Sequence, residues 1–411
     1  MTSLSSSMII PSIVGWALPT RLRVDLVRRL LNHVERGRLS VTLPDGSQLS
    51  AAGHAPGAAA EVRILRWRAV NRLLRGGDIG FAEAYVDGDW DTPDLVAFLT
   101  FCADNLDSLT EVAKASLPVR FMQRLLMLLR RNSKAGSRRN IMAHYDLGNA
   151  FFAEWLDREM VYSSAVYADG DDLEAAQRRK VQRIADMLGL DGDQSVLEIG
   201  CGWGGLAAYL ADAGAGSVRG ITLSPAQLAV GQQKIQARGL DDRVSLELRD
   251  YRDVEGQYDR VVSIEMFEAV GEAYWRGYFD KVRQALKPGG RAVLQVITIA
   301  DDRFEHYRAH PDMIQTLVFP GGMLPSKAVF AKVAREAGFA LTESFDFGLS
   351  YARTLADWRQ RFEAAWPRIA DLGYSPTFKR LWSYYLAYCE AGFRTGRIDV
   401  SLYALEPVRG S

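Results

Sequence analysis

The chain carries no excess charge of either sign: fifty lysines and arginines balance fifty aspartates and glutamates over 411 residues. A nucleic-acid binder ordinarily shows a basic excess, so no nucleic-acid partner is expected. Cysteine is nearly absent. Cys102, Cys201 and Cys389 stand far apart, with no Cys-x-x-Cys among them. That spacing excludes a disulfide scaffold and a structural zinc site, and it fits a reducing cytosol. No apolar run reaches the ~20 residues needed to span a bilayer. The opening MTSLSSSMIIPSIVGWALPT lacks a basic leader and is broken by Pro11 and Pro19, which argues against a signal peptide. His306 and His310 have i,i+4 spacing but no third ligand, so no metal is expected. A Gly-x-x-x-x-Gly-Lys-Ser/Thr loop is missing too, which removes the phosphate-cradling class.

What is present falls into three stretches. Residues 1–110 read as a small α+β domain: a helix over 21–36, a hairpin around Pro44-Asp45-Gly46, a strand at EVRILRW and a helix near 92–104. GGDIGFAEAYVDGDWDTPDL, between the last two, reads as turn-rich. Residues 111–140 read as a linker with an amphipathic helix flanked by Arg120, Arg124, Arg130, Arg131, Lys134, Arg138 and Arg139. This is either a solvated basic face or a contact for anionic lipid headgroups. From 141 to 411, helices and strands alternate, with strands at 195–199, 217–222, 244–248, 259–264, 291–298 and 397–406. Such alternation predicts a doubly wound, mostly parallel α/β sheet with ligands at the carboxyl ends of its strands. The long segments 299–325 and 352–393 are expected to form a lid over the substrate.

The motif VLEIGCGWGG sets Gly200, Gly202 and Gly204 between a strand and a helix, where bare backbone can approach a nucleotide. A dinucleotide fold would place an acidic residue about 20 positions later. ITLSPAQ instead offers Thr222, Ser224 and Gln227. Glu198, just before the glycines, suits a cationic ligand, and S-adenosylmethionine carries an ammonium and a sulfonium. Asp250 and Tyr251 follow the next strand and could face the adenine. A merely tight strand–helix turn is the alternative for the loop taken alone.

HYDLGNAFFAEWLDREMVYSSAVY, LEIGCGWGGLA, ITLSPAQ, SIEMFEAVG and FPGGMLPS occur in this order, and together they resemble the cyclopropane-fatty-acyl-phospholipid synthase family. The resemblance spans about 140–408. It implies a Rossmann-like methyltransferase domain with helical lid insertions, preceded by an accessory α+β domain. It also implies an S-adenosylmethionine site built from Tyr162, Ser163, Glu198, Gly200, Cys201, Gly202, Trp203, Gly204, Thr222, Leu223, Ser224, Gln227, Tyr251 and Arg252.

The implied reaction is one-carbon transfer to the cis double bond of phospholipid acyl chains. An alkene is a weak nucleophile, so it must meet the sulfonium methyl in a dry, aligned pocket. Aromatic faces can stabilise the resulting carbocation. Trp358, Phe362, Trp366, Phe378, Trp382, Tyr384 and Tyr385 populate the lid, most of them as core. A base then removes a proton. Loss from the transferred methyl closes a cyclopropane, and loss from a neighbouring carbon leaves a methyl-branched or methylene chain. Ring-forming relatives hold bicarbonate through a cysteine, a glutamate, a histidine and a tyrosine, which correspond here to Ser164, Glu268, Gln295 and Tyr351. Two of the four depart from that pattern, and neither serine nor glutamine titrates near neutrality. The bicarbonate cradle is therefore expected to be weakened, with Glu268 as first candidate base and Glu265 as second. Those carboxylates would share one face if their segment is helical. Cys389 matches a cysteine often placed in the family's active site, but alkene methylation needs no thiol. His144 is expected to order the entrance helix.

The resemblance further implies a cytoplasmic protein lying peripherally on anionic membrane; the oligomeric state, a homodimer included, stays open. The rival classes are a non-catalytic lipid-binding protein and a small-molecule O- or N-methyltransferase.

Overall fold

The computed structural model describes residues 19–112 and 147–408. The basic helix expected within 111–140, and His144, lie outside the described residues.

The C-terminal unit is built on a seven-stranded sheet in the order β10-β11-β9-β8-β5-β6-β7. Its strands are β5 (Ser195–Ile199), β6 (Ser217–Thr222), β7 (Val244–Leu248), β8 (Tyr258–Ile264), β9 (Leu286–Ile299), β10 (Phe339–Asp346) and β11 (Ile398–Pro407). β7, β6, β5, β8 and β9 pair in parallel, and β11 runs antiparallel to both β9 and β10. Valine-, isoleucine- and leucine-rich strands are buried on both faces, as parallel sheets require. Alternate residues serve opposite faces. Leu197, Val261, Ala292 and Leu294 join Phe267, Phe279 and Phe330 on one side. Val196, Val262 and Val293 join the lid helices on the other. Chain order reverses at β5, with β6 on one side and β8 on the other, and there a crevice opens.

Local chemistry fixes the elements around that crevice. Asp172 caps the helix Leu173–Leu188 by accepting from Ala175 N (2.8 Å), and Gly189 ends it in a left-handed conformation. Ser224 caps Pro225–Ala237, with proline in the first turn. The lid is a pair of long helices, Gly348–Asp371 and Pro376–Arg394, plus the segment between β9 and the helix Lys327–Glu336.

The N-terminal unit holds a second sheet, β2-β1-β3-β4, of β1 (Arg36–Thr42), β2 (Gln48–Ala52), β3 (Ala55–Ile64) and β4 (Trp90–Asp91). β1 and β2 form the expected hairpin, while β1 and β3 run parallel. The helix Leu95–Asp104 lies against this sheet and against the lid helix Pro376–Arg394. At the seam Arg380 donates to Tyr85 O (2.6 Å) and Trp90 O (2.9 Å), and the Tyr85 and Tyr384 rings lie 5.4 Å apart.

Two expectations need correction. The stretch expected to be turn-rich is largely helix, Arg68–Val86, kinked at Gly77 (φ 61°, ψ −141°). Ile79, Ala82, Ala84 and Tyr85 bury one face of it, so packing overrides the glycine signal. The antiparallel edge strand β10 was not anticipated. Its FALTESFD sequence is exposed at most positions and lacks the apolar run of a buried strand.

Candidate active site

One cavity of about 1320 Å³ opens at the crevice and runs beneath the lid. Tyr162, Ser163, Glu198, Gly200, Cys201, Gly202, Trp203, Thr222, Leu223, Gln227 and Tyr251 line its first part. Gly200 (φ 89°), Gly202 (φ 53°) and Gly204 (φ 78°) all occupy the left-handed region, which side chains other than glycine rarely adopt. A Cβ on Gly202 would meet nothing within 4 Å and would project into free space, whereas one on Gly204 would strike Leu246 at 2.8 Å. The first glycine thus keeps the loop low under a ligand, and the second keeps helix and strand together.

Glu198, next to last in β5, is buried, and one of its carboxylate oxygens, Oε2, has no partner among the described residues. Burial pushes its pKa up to about 8, and Lys180 pulls it partly back. An unpartnered buried acceptor at a cavity wall fits the cationic portion of S-adenosylmethionine. Three other residues expected at the cofactor are not among those lining the cavity. Ser224 is the helix cap, Gly204 packs on Leu246, and Arg252 is turned onto Asp250 (2.8 and 2.6 Å). They hold the loops in place. Trp203 is pinned by its indole N–H to Asn149 Oδ1 (2.8 Å), and Thr222 Oγ1 donates to Gln227 Oε1 (3.0 Å).

Further along, three donors converge on one carboxylate. Ser164 N (2.8 Å) and Gln295 Nε2 (2.6 Å) donate to Glu265 Oε1, and Tyr351 Oη donates to Glu265 Oε2 (2.6 Å). Glu265 sits at φ 49°, and only it and Met160 have positive φ among the described non-glycine residues. A non-glycine residue held there costs ~1–2 kcal/mol and persists because its surroundings impose it. The expected shared helical face is not formed: Glu265 precedes the single 3-10 turn Phe267–Ala269. Glu268, within that turn, accepts from Ile297 N (2.5 Å) through Oε1, while its Oε2 is buried without a partner. Met323 N donates to Glu268 O (2.8 Å), tying the FPGGMLPS loop to the carboxylate.

Burial raises both carboxyls, and the three donors hold Glu265 closer to its ordinary value. Glu268 is pushed up to about 8 by burial and by the neighbouring charge of Glu265. Such a pair holds one proton near neutrality, and the partner with more donors, Glu265, is the ionised one. Tyr351 is driven well above its usual range by burial and by Glu265, so it stays a donor. Burial raises the Cys201 and Cys389 thiols as well, which leaves neither as a nucleophile. Cys389 lines the cavity wall but touches none of these hydrogen bonds.

Sequence reasoning missed Lys180. Its ammonium is buried, donates to Ser163 Oγ (2.7 Å) and faces Glu265, Asp157 and Glu198, with its pKa lowered to about 8 by burial. The signal was its helical phase. Leu173, Ala176, Gln177, Lys180, Val181 and Ile184 share the buried stripe. Tyr162 is wedged among Phe152, Trp155 and Trp358, and its hydroxyl pairs with Tyr385 Oη (2.9 Å). Of the lid aromatics, Tyr384 and Tyr385 line the cavity, while Trp358 and Phe362 are fully buried core.

A parallel sheet reversing at a glycine loop, with an acidic strand end and a buried carboxylate beneath, defines an S-adenosylmethionine-dependent methyltransferase. The chain belongs to the mycolic acid cyclopropane synthetase family, whose model matches residues 132–403. It is 39% identical over 394 residues to a tuberculostearic acid methyltransferase of Mycobacterium tuberculosis, covering 92% of this chain and 90% of that protein. To the cyclopropane-fatty-acyl-phospholipid synthase of Escherichia coli it is 38% identical over 368 residues, covering 88% and 92%. Among solved structures, a mycolic acid cyclopropane synthase complexed with SAH and CTAB superposes with a TM-score of 0.61 at 30% identity, covering 65% of this chain and 97% of that one. The chemistry is accordingly cyclopropane-synthase-type one-carbon transfer.

Gly202→Val, at a left-handed position facing free space, is expected to abolish S-adenosylmethionine binding in a protein that still folds. Calorimetric titration of the folded variant checks this, and unchanged affinity would refute it.

Glu198 must be ionised to hold a cation, so below about pH 8 a proton has to leave on binding. Cofactor affinity is expected to weaken about tenfold per pH unit below that point. Glu198→Gln should flatten the dependence, and titrations at several pH values read both.

Proposed function

We propose that the chain transfers one carbon from S-adenosylmethionine to the cis double bond of unsaturated phospholipid acyl chains. S-adenosylmethionine, when bound, supplies an electrophilic methyl. The observation that carries the reading is the cavity. Behind the glycine loop it is walled by Ile264, Ile297, Phe319, Leu355 and Phe393, a hydrocarbon lining that excludes water, and Glu265 and Glu268 stand in the same wall. Tyr385 lines the cavity with its hydroxyl on Tyr162, and an aromatic ring there suits a cation forming on the acyl chain.

Proton removal rests on the chain's own carboxylate. Ser164, Gln295 and Tyr351 aim their donors at one point, and the Glu265 carboxylate fills it, where ring-forming relatives hold a free anion. Sequence reasoning ranked Glu268 first, but protonation near neutrality makes it the poorer base. Glu265 takes the proton and Glu268 is its protonated partner. A base anchored to the backbone approaches the acyl chain from one fixed side. That supports a second reading, methyl transfer without ring closure; one relative is a tuberculostearic acid methyltransferase.

Glu265→Gln is expected to lower turnover by about 10²–10⁴ at unchanged cofactor affinity. Glu268→Gln mimics the protonated acid and should cost far less. Equal losses would return Glu268 to the role of base. Mass spectrometry of the lipids distinguishes the products, and Ser164→Cys with Gln295→His should raise the cyclopropane fraction. A natural enzyme that needs bicarbonate and yields only cyclopropane would overturn the built-in base.

Residues 1–110 serve as an accessory unit, and the basic segment at 120–139 brings the protein to the anionic inner surface of the membrane. No described helix is long and apolar enough to cross a bilayer. Reversing Arg120, Arg124, Arg130 and Arg131 to glutamate should weaken binding to anionic vesicles, most strongly at low salt. Equal binding to neutral and anionic vesicles would refute this.

A further inference from the structure

The cavity does not end at the carboxylates. It passes Tyr388 and Cys389, crosses the seam between the two units and continues inside the N-terminal unit. There it lies between β1, β3 and the helix Leu95–Asp104, lined by Val27, Leu31, Val41, Val62, Leu99 and Phe101. Side chains of this kind ordinarily close upon one another as a core. Here, among the described residues, they leave a space lined mainly by hydrocarbon.

At the seam the lining changes character. Asp78, Asp107, Arg303, His306, Asp312 and Arg397 face the cavity. Arg303 grips Asp107 (3.0 and 2.7 Å), Arg397 donates to Ala103 O (2.7 Å), and Tyr388 donates to Asp312 (3.4 Å). The order along the cavity is therefore apolar, polar, apolar. Its about 1320 Å³ also exceeds the ~300–1,000 Å³ of an ordinary small-molecule site. The family model begins at residue 132, so the N-terminal chamber lies outside the part of the chain that the model matches.

We propose that the N-terminal chamber holds the second acyl chain of a two-chained lipid, with the reacting chain in the catalytic chamber and the glycerol esters at the polar seam. This rests on the lipid-methylating function proposed above. One unbroken hydrocarbon chain threaded through both chambers would press methylenes against Asp78, Arg303 and Asp312 and return no hydrogen bond for the water displaced. Ester and glycerol oxygens at that level accept from Arg303, Arg397 and His306. The chain on the far side returns to hydrocarbon surroundings, and each methylene placed there is removed from water. On this arrangement the accessory unit selects two-chained lipids over single-chained ones.

The test uses the full-length protein and a glycerophospholipid with one cis-monounsaturated chain and one saturated chain, the saturated chain ending in a diazirine. On irradiation, label is expected on peptides within residues 27–102. Label confined to residues 147–408 would overturn the proposal. In parallel, Leu99→Trp and Val41→Trp fill the chamber. Each should lower kcat/KM for the two-chained lipid, relative to its single-chained lyso counterpart, by about tenfold, the factor expected when roughly two methylenes lose their burial. An unchanged ratio in a folded variant overturns the proposal as well. If either variant fails to fold, the labelling of the natural protein still decides. N-terminal labelling without any carbon transfer to either lipid would uphold the chamber and refute the proposed function instead.

Discussion

Ionised groups buried in a dry cavity are the constraint around which this molecule is arranged. Desolvating a carboxylate or an ammonium is costly unless donors and opposite charge surround it. Glu265 receives three donors, and Lys180 sits among Glu265, Glu198 and Asp157. The three donors and Lys180 come from four different elements: the loop after the helix Asn149–Ala153, β9, the first lid helix and the helix Leu173–Leu188. Holding one carboxylate therefore requires the lid, the sheet and the entrance segment to be in place together. The left-handed backbone at Glu265 is part of the same requirement, because a relaxed residue there would not bring its side chain to those donors.

The same cluster divides labour between two similar residues three positions apart. Glu265 and Glu268 are both buried, yet their surroundings push their proton affinities apart: three donors hold one anionic, and the neighbouring charge keeps the other protonated. Serine and glutamine at positions 164 and 295 make sense in this light. Both are neutral at all relevant pH: the Gln295 amide donates to the carboxylate, and Ser164 gives it a backbone N–H while its hydroxyl donates to Ala165 O. A titrating cysteine or histidine would add a second ionisation to the site.

The glycine loop and the lid meet this cluster from opposite ends. Tyr162 is the bridge, wedged among Phe152, Trp155 and Trp358 with its hydroxyl on Tyr385. Close packing of this kind transmits small displacements, so the cofactor end and the acyl end of the cavity are mechanically joined. The N-terminal unit is docked on the same lid helix through Arg380 and the Tyr85–Tyr384 pair, and the cavity crosses that junction.

Much of this was legible in the amino-acid order. β5, β6 and β7 end where apolar residues give way to turn residues; β5 is buried through most of its length, while the edge strand β7 alternates. The glycine loop, Glu198 and the departures at Ser164 and Gln295 are likewise local facts. Tertiary structure decided what depends on residues distant in sequence. Gly76 and Gly77 read as a turn, yet the surrounding core makes the segment a kinked helix. β10 has little apolar pattern and exists because β11 offers it an edge. Lys180 becomes a buried ammonium only because its helix packs that face inward. Which of the two carboxylates stays ionised could not be read from their spacing, since proton affinity is set by donors arriving from positions 164, 295 and 351. Sequence determines which groups are available, and only the fold determines which of them lose their water and to which partners.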